Sequence, residues 1–66
     1  MNNKIRVARA EVRMTQQQLA EAAGVSRQTI NAIESGKFVP STVLALKIAQ
    51  IFGKSVEEIF QLEDGD

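Results

Sequence analysis

Apolar residues recur along this chain at the three- and four-residue spacing of a helix, and a glycine or a small polar residue interrupts each run after a few turns. Ile5, Ala8 and Val12 mark a first helix over about Lys4 to Arg13, with Asn2 or Asn3 as its N-cap. Thr15 opens a second helix, and Gln18 three residues on completes a capping box that satisfies two otherwise orphaned amide groups. That helix ends near Ala23, where Gly24 can adopt the left-handed conformation of a C-terminal cap. Ser26 caps a third helix from about Arg27 to Ser35, stopped by Gly36. Gly36 to Pro40 reads as a loop, because Pro40 disfavours helical geometry at Val39, and Ser41 then caps a fourth helix from about Thr42 to Phe52. Leu44, Ala45, Ile48, Ala49, Ile51 and Phe52 cover most of its circumference, which predicts the most buried element of the chain. Gly53 ends it, and Ser55 with Glu58 forms a second capping box for a short fifth helix carrying Val56, Ile59 and Phe60. Gln61 to Asp66 should be extended or frayed. No alternating apolar pattern predicts a strand, so the fold class is all-α.

The second and third helices form a helix-turn-helix by spacing alone, over residues 15–36, with a three-residue turn at Gly24, Val25 and Ser26. Leu19 and Ala20 face inward from one helix, Ile30 and Ile33 from the other, and Val25 plugs the turn. The opposite side of the third helix carries Gln28, Asn31, Ala32 and Ser35, with Arg27 at its margin. Arg, Gln and Asn can make paired hydrogen bonds to base edges in a DNA major groove, and Ala can touch a thymine methyl. The alternative is a merely solvated face, but such a face would usually mix Glu and Lys, and neither points outward here. Arg9 lies at the edge of the first helix's inward stripe and Glu34 at the edge of the third's, so an Arg9–Glu34 ion pair is expected to fix the angle between those helices, against the alternative of two separately solvated charges.

With 66 residues the chain is expected to form one small domain that buries only about 60% of its unfolded surface. Lack of cysteine removes disulfides and thiolate metal sites, and lack of histidine removes the usual general base and the commonest metal ligand. Glu57 and Glu58 are adjacent on a helix and point about 100° apart, so they cannot flank one bond as an acid/base pair. Ser26 has no nearby base to activate it. These features argue against an enzyme, and no cofactor, metal or small-molecule effector signature is visible. The apolar runs are far short of a membrane span and no basic-then-apolar leader opens the chain, so a soluble protein, cytoplasmic if bacterial, is expected.

Eight Lys and Arg balance eight Asp and Glu, which at first argues against a nucleic-acid partner. The balance is the sum of two opposed halves. Residues 1–40 carry Lys4, Arg6, Arg9, Arg13, Arg27 and Lys37 against Glu11, Glu21 and Glu34, a net +3. Residues 41–66 carry Lys47 and Lys54 against Glu57, Glu58, Glu63, Asp64 and Asp66, a net −3. The positive half holds the candidate readout helix, so the asymmetry can orient the protein on DNA with only modest non-specific attraction.

Thr15 to Ala20, Gly24 to Ile30, Ile33 to Lys37, Pro40-Ser41 and Glu57 to Phe60 together resemble the phage repressor and Cro class of helix-turn-helix regulators, and most of all the short bacterial transcription factors of the xenobiotic-response-element type. The resemblance covers Ile5 to Phe60 and implies a compact five-helix, lambda-repressor-like domain that binds double-stranded DNA. It implies that Gln16 clamps a phosphate and braces the readout helix, that Arg27, Gln28 and Ala32 face the bases, and that Ser26, Asn31, Ser35 and Lys37 contact or approach the DNA backbone. Arg9 and Glu34 match the interhelical ion pair of the class. Val12 and Arg13 stand where the class more usually ends its first helix on a polar residue and glycine, so a differently built junction is expected there.

One helix-turn-helix reads few base pairs, and useful affinity normally comes from two copies on adjacent half-sites, so a homodimer is expected. The C-terminal region, 53–66, is the candidate interface, through Ile59, Phe60 and Leu62; alternatively, Phe60 caps the monomer's own core. The function predicted is a sequence-specific transcriptional repressor on a palindromic operator. The alternative is an antitoxin or a restriction-modification controller whose DNA binding is autoregulatory.

Overall fold

Thr15, Ser26, Ser41 and Ser55 each turn a side-chain oxygen onto the backbone N–H three residues on, and each is followed at once by a helix. A computed structural model describes residues 1–66 and orders the elements as β1 (Asn2–Asn3), α1 (Ile5–Val12), α2 (Gln16–Ala23), α3 (Arg27–Glu34), α4 (Thr42–Phe52), α5 (Val56–Ile59) and β2 (Phe60–Gln61). The two capping boxes, Thr15 with Gln18 and Ser55 with Glu58, are both closed. Glu58 is thus spent on a backbone N–H, and that bond from Ser55 holds its carboxyl below the usual carboxylate range.

α1 is built differently at both ends. Its N-cap is Lys4, which supplies no side-chain bond; Asn3, one residue earlier, accepts from the Ile5 N–H at 3.2 Å and donates from Nδ2 to the Ile33 carbonyl at 2.8 Å. Asn3 therefore joins the start of α1 to the end of α3 instead of capping in the expected position. At the other end Arg13 takes the left-handed conformation at φ 56°, the one residue other than glycine with positive φ. Val12, although at helical spacing from Ala8, stands beyond the last buried position of α1 and is half exposed.

Every helix contributes at least one fully buried branched side chain to a single core: Ile5, Leu19, Ile30 and Ile33, Ile48 and Ile59 in turn. Each is worth roughly 1.5–3 kcal/mol relative to exposure. The expectation that α4 is the most buried element is overturned. Only Ile48 and Ala49 are buried there while Val43 and Leu46 face outward, whereas α2, lying against both α3 and α4, buries Leu19, Ala20 and Ala23.

The expected extended C-terminal segment is present, and it is paired with the other end of the chain. Asn2 and Asn3 pair antiparallel with Gln61 and Phe60, and the Lys4 N–H continues the ladder to the Ile59 carbonyl at 2.8 Å. Phe60 accordingly leaves the helical conformation at the end of α5 and turns its ring into the core. Residues 63–66 form a turn, closed by the Asp66 carboxylate accepting from the Glu63 N–H at 2.7 Å, and the Met1 ammonium lies 3.1 Å from Asp66 and 3.4 Å from Glu63. Hydrogen bonding to Asp66, chiefly, raises the Met1 amino group above its ordinary range. The tail is tied down, not frayed. No helix is long and apolar enough to cross a membrane.

Candidate nucleic-acid interface

α2 and α3 close on one another through Leu19, Ala20, Ile30 and Ile33, all at most 1% exposed. The turn between them needs Gly24 at φ 74°, where its N–H reaches back to the last carbonyls of α2, and half-buried Val25 packs on the core behind it. The Ser26 hydroxyl accepts from the Thr29 N–H at 3.1 Å, which fixes where α3 starts. With the inner face spent on the core, Arg27, Gln28, Asn31 and Ser35 are left exposed and Ala32 half-buried on the outer one.

A continuous set of hydrogen bonds runs from that outer face into the interior. Arg27 Nη1 donates to Gln16 Oε1 at 3.5 Å; Gln16 Nε2 in turn donates to Asn31 Oδ1 and to Glu34 Oε1, both at 3.3 Å. Glu34 accepts two N–H bonds from Arg9, Nε to Oε2 at 2.6 Å and Nη2 to Oε1 at 3.1 Å, and Arg9 Nη1 also donates to the Met14 carbonyl at 2.9 Å. The Glu34 side chain is 1% exposed and that of Arg9 16%. Burial alone would push the Glu34 carboxyl up; hydrogen bonds from Arg9 and Gln16, with the charges of Arg9 and Arg6, outweigh it and hold the carboxyl below the usual range. The hydrogen bond to Glu34 likewise raises the Arg9 guanidinium.

Residues 5–59 match the family model described as helix-turn-helix. The chain belongs to the helix-turn-helix family of transcriptional regulators. It is 53% identical over 66 residues, the full length of both chains, to an uncharacterised HTH-type transcriptional regulator of Methanocaldococcus jannaschii. To the uncharacterised HTH-type regulator YgzD of Bacillus subtilis it is 47% identical over 64 residues, 97% of each chain. Among solved structures it is similar to that of the clp gene regulator ClgR from Corynebacterium glutamicum, with a TM-score of 0.77 and 31% identity over 82% of this chain and 57% of that one.

Within the helix-turn-helix, Gln16, Arg27 and Asn31 come together in one hydrogen-bonded group, while Gln28 stands beside it with no partner in the protein. Ser26 and Ser35 are exposed but already engaged, Ser26 as the α3 cap and Ser35 through its hydroxyl to the Ala32 carbonyl at 3.2 Å. The Ala32 carbonyl also accepts the backbone N–H groups of Lys37 at 2.9 Å and Phe38 at 3.2 Å, so Lys37 follows closely on the end of α3. Ile59 and Phe60 lie apart from this face and are 0% and 6% exposed within the monomer's own core; the pairing of β2 with β1 turns them inward, so of the three residues expected at a dimer interface only Leu62, 79% exposed, offers surface. Arg6 also joins the group around Glu34 from α1. Its Nε lies 3.5 Å from Glu34 Oε1, and its spacing of three from Arg9 on one helix was the available signal.

Proposed function

We propose that this chain is a cytoplasmic transcriptional repressor that binds a palindromic operator as a homodimer. The observation that carries the reading is the outer face of α3, where Arg27 and Gln28 occupy the exposed first turn, Gln28 has no intramolecular partner and the only acidic side chain of the helix, Glu34, is buried. Arg27 and Gln28 have the donors and acceptors to pair with guanine and adenine edges, and the Ala32 methyl can meet a thymine methyl. Gln16 at the N-terminus of α2, with Ser26, Asn31, Ser35 and Lys37, would hold the flanking phosphates. Gln16 is braced for this by Asn31 and Glu34, so a phosphate contact there also fixes α3.

Two-fold symmetry follows from size: one α3 reads few base pairs, and a second copy on a half-site about 34 Å away multiplies affinity. Val39, Val43 and Leu46, exposed beyond the end of α3, and Leu62 near the C-terminus supply apolar surface for that second copy. A dimer seated on an operator excludes other proteins from it, which represses by occupancy. Selection from a random duplex library tests the reading: two inverted half-sites should be enriched, with affinity that falls as salt rises. No enrichment, or affinity indifferent to salt, would refute it.

A further inference from the structure

We infer that Arg6 is a further phosphate-binding residue, so that α1 as well as α2 and α3 grips the duplex; the inference rests on the DNA-binding reading above. Arg6 is not needed as the counterion of Glu34. Arg9 already meets both carboxylate oxygens, at 2.6 and 3.1 Å, whereas Arg6 approaches one of them only at 3.5 Å and makes no hydrogen bond in the protein. Its side chain is 75% exposed, leaving the guanidinium donors free to bind an anion in solution.

Its place is fixed by what it shares. The Glu34 Oε1 atom that Arg6 approaches is the same atom that accepts from Gln16 Nε2 at 3.3 Å, and Gln16 Oε1 accepts from Arg27. Arg6 from α1 and Gln16 therefore converge on one carboxylate oxygen, and Arg27 from α3 reaches the other end of the Gln16 carboxamide. The Glu34 carboxylate meets Arg6 and Arg9 directly and Arg27 is linked to it through Gln16, so the group keeps net positive charge while its only negative charge is buried. A strand of phosphates passing over Gln16 would come near the guanidiniums of both Arg6 and Arg27, and Arg suits that role because its fork matches phosphate geometry.

The test is equilibrium binding of the full chain to a selected duplex and to an unrelated duplex, for the wild type, Arg6→Gln and Arg6→Lys, as salt is varied, with thermal melts as a control. Arg6→Gln leaves one phosphate of each half-site without its cation. It should therefore bind about eightfold more weakly per half-site near 0.1 M salt, converge with the wild type near 1 M, and show a log–log salt slope reduced by about 0.9 per half-site. The weakening should be equal on both duplexes, Arg6→Lys should restore the slope, and the order of preferred sequences should not change. Wild-type affinity and slope in a folded Arg6→Gln, or a lowered melting temperature alone, would overturn the inference and leave Arg6 a partner of Glu34 only. Salt-indifferent binding by the wild type would instead overturn the DNA-binding reading itself.

Discussion

The first turn of α3 and the junction of α5 with β2 both carry side chains that look free along the chain, and they end in opposite places. Arg27 and Gln28 stay exposed because a local rule decides them: Ser26 fixes the start of the helix, Ile30 and Ile33 claim its inner face, and the outer face is what is left. Ile59 and Phe60 lie near a chain end, yet they are buried because Asn2 and Asn3 pair with Gln61 and Phe60. A helix face can be read from a few neighbouring residues, whereas the fate of a closing segment depends on a partner at the far end of the chain.

The largest way to break this contrast is Phe60→Ala. Emptying a buried aromatic site should cost about 3–5 kcal/mol in urea unfolding, whereas Leu62→Ala should change stability by less than about 0.5 kcal/mol. If Leu62→Ala were the damaging change and Phe60→Ala harmless, the inward placement of Phe60 would be wrong. Next in size is Arg9→Met, which leaves the buried Glu34 carboxylate without its main partner and should cost roughly 3 kcal/mol; adding Glu34→Leu should return much of it. Stability equal to the wild type in Arg9→Met would show that the pair does not join α1 to α3.

The end of α3 and the closing of the chain termini should also separate in pH. The folded-state pKa of Glu34 is depressed, so its contribution is full above the ordinary glutamate range and is lost as pH falls through the depressed value. The Met1 amino group is raised, so its contribution is full below the ordinary range near pH 8.0 and is lost as pH rises through the raised value. Unfolding followed across pH should therefore show an acid limb reduced in a Glu34→Gln background, the remainder belonging to the depressed carboxyls of Glu58 and Asp66, and an alkaline limb abolished by acetylating the Met1 amino group. An acid limb that survives Glu34→Gln unchanged would assign it to other carboxylates.

Much of the helical part was legible because its signals are local. Thr15 with Gln18, Ser26, Ser41, and Ser55 with Glu58 mark helix starts that the structure shares, and Gly24 and Gly53 mark ends. Lys4 at the cap of α1 and the left-handed Arg13 were not legible, since neither residue type favours its position. The outward setting of Gln28 followed from helical spacing. Its neighbours' network did not, because the Gln16 carboxamide could have pointed to solvent as readily as to Asn31 and Glu34. Arg6 was missed for a related reason: its charge counted toward the positive half of the chain, but its approach to Glu34 depends on how α1 packs beside α3.

The central claim is that the outer face of α3 reads bases while its surroundings hold phosphates, and the most direct measurement is the base-preference profile of Gln28→Ala beside that of Lys37→Ala. Gln28→Ala should relax preference at one position of each half-site, worth about 1–3 kcal/mol of discrimination, while Lys37→Ala weakens binding to all sequences alike and flattens the salt slope. An unchanged profile in Gln28→Ala, or an altered one in Lys37→Ala, would contradict that division of roles.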